Sequence, residues 1–316
     1  MFGASPGRDT NPCTRISHDW QPQPSLRDAF TRVATRLHAP ERPGYQVFAV
    51  GGPRLTSLHL PPLRSAFAVV GRHTACDISL DDDPAVSLRH LLLRVVTLRS
   101  GALALRVIDL ATRSGFQTHD GITHVAVVAE GPFAFRLGRS AIFAIPWGVE
   151  VEAVLPPASP SLSGPVPHML PAHPYREAGR APWRSRVSVV PPPSSFVCTS
   201  GGERGERVLT VRHGDARVEV RRSLASLSSG VLLGRYPRCD TDARSLMGHQ
   251  ISRVHALLLH EAGQDLVFDL ASTNGLWWHG VRVREVALRD GDRVRLAARG
   301  SDSVSLRWRH EPPCCD

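Results

Sequence analysis

The chain has 316 residues, 42% of them hydrophobic, and a net charge of +9. That length holds about two domains, and the ordinary apolar share lets each half bury a core. No run approaches the ~18 apolar residues of a membrane-spanning helix.

The sequence contains no lysine, so all 38 of its strongly basic residues are arginine, as codon bias in a GC-rich genome would give. They are spread through strands, tails and linker, with no dense basic run interleaved with aromatics. The charge therefore points to acidic or phosphorylated partners and does not make nucleic acid the expected one. The six cysteines show no CxxC and no Cys/His set at zinc-ligand spacing, so neither a disulfide framework nor a metal is expected. Cys314-Cys315-Asp316 is not a prenylation box. The start of the chain lacks a signal-type apolar core. A soluble, cytoplasmic protein without cofactor or membrane partner is expected.

Residues 1–44 read as a tail with one short helix. Ser25 can cap it, Asp28 follows three residues later, and Leu26, Phe30, Val33 and Leu37 recur at helical spacing. Such a helix docks on the neighbouring domain or binds a partner. From residue 45 to 155 short β-type runs replace it: Gln46–Val50, Ala66–Val70, Leu91–Thr97, Ala102–Asp109 and Thr123–Val128. Turn clusters separate them, as in an antiparallel sandwich. Residues 156–205 are dense in proline, including Pro191-Pro192-Pro193, and are expected to be an extended or mobile linker. From 206 to 310 the strand pattern returns. Val208–Arg212 and Ala216–Arg221 flank the hairpin turn His213-Gly214-Asp215. Val231–Leu233, Val254–His260, Leu266–Asp269, Val281–Val286 and Arg293–Leu296 follow, and 311–316 is a short tail.

Three spaced stretches stand out in the second half: Gly234-Arg235, Ser252-Arg253-Val254-His255, and Asp269 to Gly275. Each sits where a strand should pass into a loop. A guanidinium, hydroxyls and a side-chain amide are brought to neighbouring loops without a carboxylate contact. That donor set suits a doubly charged phosphate ester. The order and spacing resemble the forkhead-associated (FHA) domain, a phosphothreonine-peptide reader, over roughly residues 206–310. Leu288-Arg289-Asp290-Gly291-Asp292 adds a turn similar to that of the family. The resemblance implies an all-β fold, an eleven-stranded-type sandwich with its site in the loops at one end. It implies that Arg235, Ser252, Arg253, Thr273 and Asn274 contact the phosphopeptide. Gly234, His255 and Gly275 then support the site, with His255 tying loops together, and phosphothreonine is preferred over phosphoserine. The apolar strand that should follow Cys239-Asp240 is missing; Arg238, Arg244 and His249 there would read an acidic residue downstream in the ligand.

The same layout appears earlier. Gly71-Arg72 precedes Cys76-Asp77 as Gly234-Arg235 precedes Cys239-Asp240. Ser87 and His90 match Ser252 and His255, and Asp109 to Gly115 aligns with Asp269 to Gly275. A repeat with an offset near ~160 residues marks two copies of one domain. In the first copy Arg113 and Ser114 replace Thr273 and Asn274. A weaker site is expected there from Arg72, Ser87, Arg113 and Ser114, or a structural role.

These readings converge on a non-enzymatic adaptor that binds phosphothreonine-containing proteins, a Ser/Thr kinase or its substrates. A phosphorylated Thr10, Thr31 or Thr35 in the tail could occupy the second site. The alternatives are a phosphate-independent scaffold, an arginine-rich nucleic-acid binder, and a hydrolase built from Ser252, His255 and Asp269. The last lacks a nucleophile elbow.

Overall fold

A computed structural model describes residues 26–149 apart from 39, 52 and 64, together with 186–189, 206–297 and 303–311. The first half opens with helix α1 (Leu26–Val33). Eleven strands follow: β1 (Tyr45–Gly51), β2 (Arg54–Leu60), β3 (Phe67–Gly71), β4 (Ile78–Ser79), β5 (Leu91–Thr97), β6 (Leu103–Asp109), β7 (Phe116–Thr118), β8 (Thr123–His124), β9 (Ala126–Glu130), β10 (Phe133–Leu137) and β11 (Ser140–Pro146). They form two sheets, β2-β1-β11-β10-β7-β8 and β9-β6-β5-β3-β4.

Strand β12 (Arg186–Val189) lies within the proline-rich stretch and pairs antiparallel with β9. This part of the linker, expected to be extended or mobile, is thus an extended sheet edge. A polyproline-rich segment can supply such an edge because edge strands leave one side unpaired. The other linker residues and most of both tails lie outside the described residues, Ser25 and Thr10 among them.

The second half contains β13 (Glu206–His213), β14 (Ala216–Ser223), α2 (Leu224–Ser229), β15 (Val231–Leu233), α3 (Thr241–Arg244), β16 (Ala256–Glu261), β17 (Gln264–Asp269), β18 (Leu276–Trp278), β19 (Val281–Val283), β20 (Glu285–Leu288), β21 (Arg293–Leu296) and β22 (Val304–Glu311). Its sheets, β14-β13-β22-β21-β18-β19 and β15-β16-β17-β20, repeat the first sandwich strand for strand except at β4. The position of β4 is taken by α3. There Asp240 caps the helix by accepting from the Asp242 and Ala243 N–H groups, and Ala243 and Met247 fill the core. Val281–Val286 is not one strand. It breaks at Arg284, whose carbonyl accepts the Asp269 N–H, so that β19 and β20 serve opposite sheets.

Each sandwich has an inner core. Leu91, Leu93 and Val107 meet Val47, Phe135 and Ile142 in the first; Ala256, Leu258 and Val267 meet Val211, Leu306 and Trp308 in the second. Strand residues alternate between faces. The opposite faces of the same strands are apolar too, which requires a second cover. On β1 and β11 the outward Phe48, Val50, Phe143 and Ile145 receive Leu26, Phe30, Val33 and Leu37. The amphipathic helix is therefore docked on its own domain and does not present that face to a partner. Thr31 and Thr35 are exposed within this docked helical segment.

The other cover is the second sandwich itself. Phe67, Val69, Leu92 and Ile108 of the first pack on Leu232, Leu257, Leu259 and Phe268 of the second. Phe67 and Phe268 meet edge to face at 5.0 Å. The two turns that follow β6 and β17 hold Ala111 and Ala271 at φ 54° and 53°, a left-handed conformation uncommon outside glycine. Each carbonyl accepts an arginine from the opposite sandwich: Arg89 Nη2 reaches Ala271 O at 2.5 Å and Arg238 Nη1 reaches Ala111 O at 2.9 Å. The pairing is thus close to twofold, as in an isologous dimer. At its far end Glu261 bridges Arg94 (3.0 Å) and Arg106 (2.7 Å).

Candidate functional site: the loops at the ends of β15, β16 and β17

Three loops converge at one end of the second sandwich. Gly234 follows β15 where the chain crosses the Ser252–Arg253 segment, and a Cβ there would collide with the Arg253 carbonyl oxygen. The crossing is closed by Arg235 N–H to Ser252 O (3.3 Å) and Tyr236 N–H to Arg253 O (2.9 Å). Exposed Arg235 is steadied by its Nε, which donates to the Ile251 carbonyl at 2.9 Å. Its terminal amino groups have no partner among the described residues, which leaves the planar fork free.

Ser252 Oγ accepts the Thr273 N–H at 3.1 Å and keeps its own proton to donate. Asn274 Nδ2 donates to the Gln250 carbonyl at 2.7 Å. This orients the amide and leaves its oxygen available. Trp277, half-buried, donates from Nε1 to the Asn274 carbonyl at 2.8 Å, whereas Trp278 packs against the core.

His255 is fully buried and binds two loops at once. Its Nδ1 accepts the Ser252 N–H at 3.2 Å, so the ring proton sits on Nε2 and is donated to Gly275 O at 3.1 Å. Burial pushes its pKa down to about 4, and the Gly275 carbonyl only partly offsets this. The neutral tautomer is the one the geometry needs. Ser272 and Asp269 complete the frame: the Gly275 N–H meets Ser272 Oγ at 2.9 Å and the Ser272 N–H meets Asp269 Oδ1 at 3.2 Å. These contacts contain no catalytic triad. His255 faces the Ser252 backbone N–H, and Asp269 faces Ser272.

Arg235, Ser252, Thr273 and Asn274 are therefore gathered on one rim. Arg253 belongs elsewhere as well. It lines a cleft of about 340 Å³ between the sandwiches, where Arg72, Ser87, Arg113 and Ser114 of the first sandwich are also found. Arg238 is drawn to Ala111 of the first sandwich, away from the role of reading downstream ligand residues. The first sandwich keeps the same frame, with Ser87 N–H to His90 Nδ1 (3.0 Å) and His90 Nε2 to Gly115 O (3.0 Å).

Residues 231–297 match the family model of the FHA domain, a span that runs from β15 through β21. The match lies in the second sandwich, and the first sandwich repeats its strand order. No curated protein matches it. Among solved structures it is similar to the FHA-1 domain of Rv1747 from Mycobacterium tuberculosis, at 28% identity and a TM-score of 0.27, covering 33% of this chain and 97% of that one. It is also similar to the FHA1 domain of yeast Rad53, at 23% identity and TM-score 0.28, over 36% and 82% of the two chains. The FHA domain of the CT664 protein from Chlamydia trachomatis matches at 20% identity and TM-score 0.27, over 33% and 96%.

A scan for contiguous basic runs misses a further feature. On the outer sheet of the second sandwich every other residue faces outward. Arg217 and Arg221 of β14, Arg293 and Arg295 of β21, and Arg307 and Arg309 of β22 share that face. Glu219 on the same face pairs with Arg217, Arg221 and Arg309. The signal lay in period-two arginine spacing, as in Arg293-Val294-Arg295 and Arg307-Trp308-Arg309. Among the described residues no group of three His, Cys, Asp or Glu side chains could hold a metal, and no helix is long and apolar enough to cross a membrane.

Proposed function

We propose that the second sandwich reads phosphothreonine peptides and that the protein is a non-enzymatic adaptor in cytoplasmic Ser/Thr-kinase signalling. The observation that carries this reading is the free terminal fork of Arg235, held beside the Ser252 hydroxyl, Thr273 and the Asn274 amide oxygen. The fork and hydroxyl suit the phosphate oxygens. The Asn274 oxygen suits a main-chain N–H of an extended ligand. The partners are phosphothreonine-containing proteins, a kinase or its substrates, and no cofactor is called for.

Calorimetric titration of a phosphothreonine-peptide library tests the reading. Arg235→Ala should weaken binding at least about tenfold, the loss of one charged-group hydrogen bond. The melting temperature should not change, because the side chain is exposed. Unchanged affinity, or equal affinity for unphosphorylated peptide, would sink the reading and leave a phosphate-independent scaffold.

The arginine face supports a second reading, polyanion binding. An electrophoretic shift of duplex DNA or RNA with a steep salt slope would favour it. No shift at moderate salt would remove it.

A further inference from the structure

We propose that the arginine face of the second sandwich is a seat for an acidic helix of a partner protein. The seat is a sheet face and not the Arg235 rim, so it stands apart from the phosphothreonine reading.

The first sandwich shows what such a face can carry. Its strands β2-β1-β11-β10 are the counterparts of β14-β13-β22-β21, and their outer face holds α1. The Arg-Leu shared by Phe135-Arg136-Leu137 and Val294-Arg295-Leu296 sets the alignment. Phe135 then opposes Ile142 as Val294 opposes Leu306, so Ala134, Arg136 and Phe143 correspond to Arg293, Arg295 and Arg307. Phe48 opposes Phe143 as Thr210 opposes Arg307, which matches Val50 to Arg212. Val50, Ala134 and Phe143 all pack in the cluster with α1. Arg136 feels the same helix by charge: burial lowers its pKa, and the Asp28 carboxylate of α1 opposes that shift. A helix carboxylate near a sheet arginine is thus present in the first copy.

In the second copy the matching positions are cationic and open. Arg212, Arg293 and Arg307 are exposed and Arg295 is half-buried, and none of the four has a partner among the described residues. Arg293 and Arg307 stand directly opposite on adjacent strands. Like charges so placed destabilise a sheet, and an acidic cover relieves them. Carboxylates on this face serve other arginines: Glu219 pairs with Arg309 at 2.9 Å and Arg221 at 3.9 Å, and Glu206 with Arg221 at 3.7 Å.

Among the described residues no helix covers the face, since α2 and α3 turn Leu227 and Ala243 into the inner core. Residues 1–25, 150–185, 190–205, 298–302 and 312–316 contain no two carboxylates at i, i+3 or i, i+4 spacing. Charge complementarity therefore points to another protein. On a helix, carboxylates at i and i+4 lie ~5–6 Å apart, close to the ~4.8 Å between strands. One acidic stripe can cross β13, β22 and β21 in step with their arginines.

The test uses the full chain and three probes at one ionic strength, read by fluorescence anisotropy. The probes are an alanine-based helical peptide with glutamates in one stripe, a peptide of the same composition with its glutamates spread round the helix, and a DNA duplex. The striped peptide should bind at least about tenfold tighter than the spread one. The double substitution Arg293→Ser and Arg307→Ser should remove that preference. Both side chains are exposed and oppose each other as like charges, so the variant should melt no lower than the parent. Its affinity for a phosphothreonine peptide should equal the parent's. Equal affinity for the two helical peptides, or a preference that survives the double substitution, overturns the seat. Tighter binding of the duplex than of the striped peptide, lost in the same variant, overturns it in favour of nucleic acid. A parent that binds the striped peptide but no phosphothreonine peptide sinks the reader and leaves the seat standing.

Discussion

His255 and His90 hold the site loops of the two sandwiches by accepting at Nδ1 and donating at Nε2. Only a neutral ring does both. Burial holds each pKa down at about 4, the Gly275 and Gly115 carbonyls opposing it in part. An NMR titration of the imidazole resonances should therefore place both midpoints near pH 4, well below the ordinary ~6.5. Between those values the unfolded chain binds more protons than the native one. The stability each ring contributes is complete above about pH 6.5 and is lost as pH falls through 4. For His255 the loss is on the order of 3 kcal/mol. His255→Ala should cost a similar amount, about 3 kcal/mol by denaturant unfolding, because it strands the Ser252 N–H and the Gly275 carbonyl. The ordered motif disclosed this tie through its resemblance to a family. It could not disclose that Arg253 would border the cleft between the sandwiches, because nothing local in Ser-Arg-Val-His encodes what lies across an interface.

At the level of elements, α1 closes the outer face of the β1–β11 sheet, and Phe30 meets Phe143 edge to face at 5.6 Å. Phe30→Ala should destabilise the first sandwich by about 3–5 kcal/mol, measured by denaturant unfolding. Helical spacing alone left open whether this helix docks or recruits a partner. The deciding signal was in the strands. In Tyr45–Gly51 and Ser140–Pro146 residues on both faces are buried, so one face required a cover from elsewhere in the molecule. Strand positions were legible wherever alternation was clean. The break at Arg284 was not, because the apolar pattern Val281, Val283, Val286 runs straight through it while the hydrogen bonds change sheets.

For the molecule as a whole, the face-to-face pairing was written in two runs, Leu91-Leu92-Leu93 and Leu257-Leu258-Leu259. The outer leucines of each run serve one core and the middle one another, or the reverse. The sequence therefore showed that both copies had a second apolar face, although it did not show that each face was the other's cover. The buried ion bridge depends on the pairing. Glu261→Ala leaves Arg94 and Arg106 without their shared carboxylate and should cost about 3 kcal/mol or more by chemical denaturation. Glu285 sits beside this bridge. Burial pushes its carboxyl up to about 7, with Arg94 opposing and Glu261 adding to the rise. Its native form keeps a proton longer than the unfolded chain, so its contribution declines as pH rises from about 4.5 through 7. Glu285→Gln removes that decline. The stability of the variant relative to the parent should therefore increase between pH 5 and pH 8, and a pH-independent difference would contradict the assignment.

The edge strand Arg186–Val189 lies in the sequence between the two sandwiches and belongs to the sheet of the first. The packing of Phe67, Val69, Leu92 and Ile108 on Leu232, Leu257, Leu259 and Phe268 should then hold the halves together without covalent continuity beyond it. A protease site placed between residues 190 and 205 should, once cut, yield two fragments that co-elute as one particle. The same fragments expressed as separate genes should find each other in the cell, which makes this chain a natural template for a split reporter.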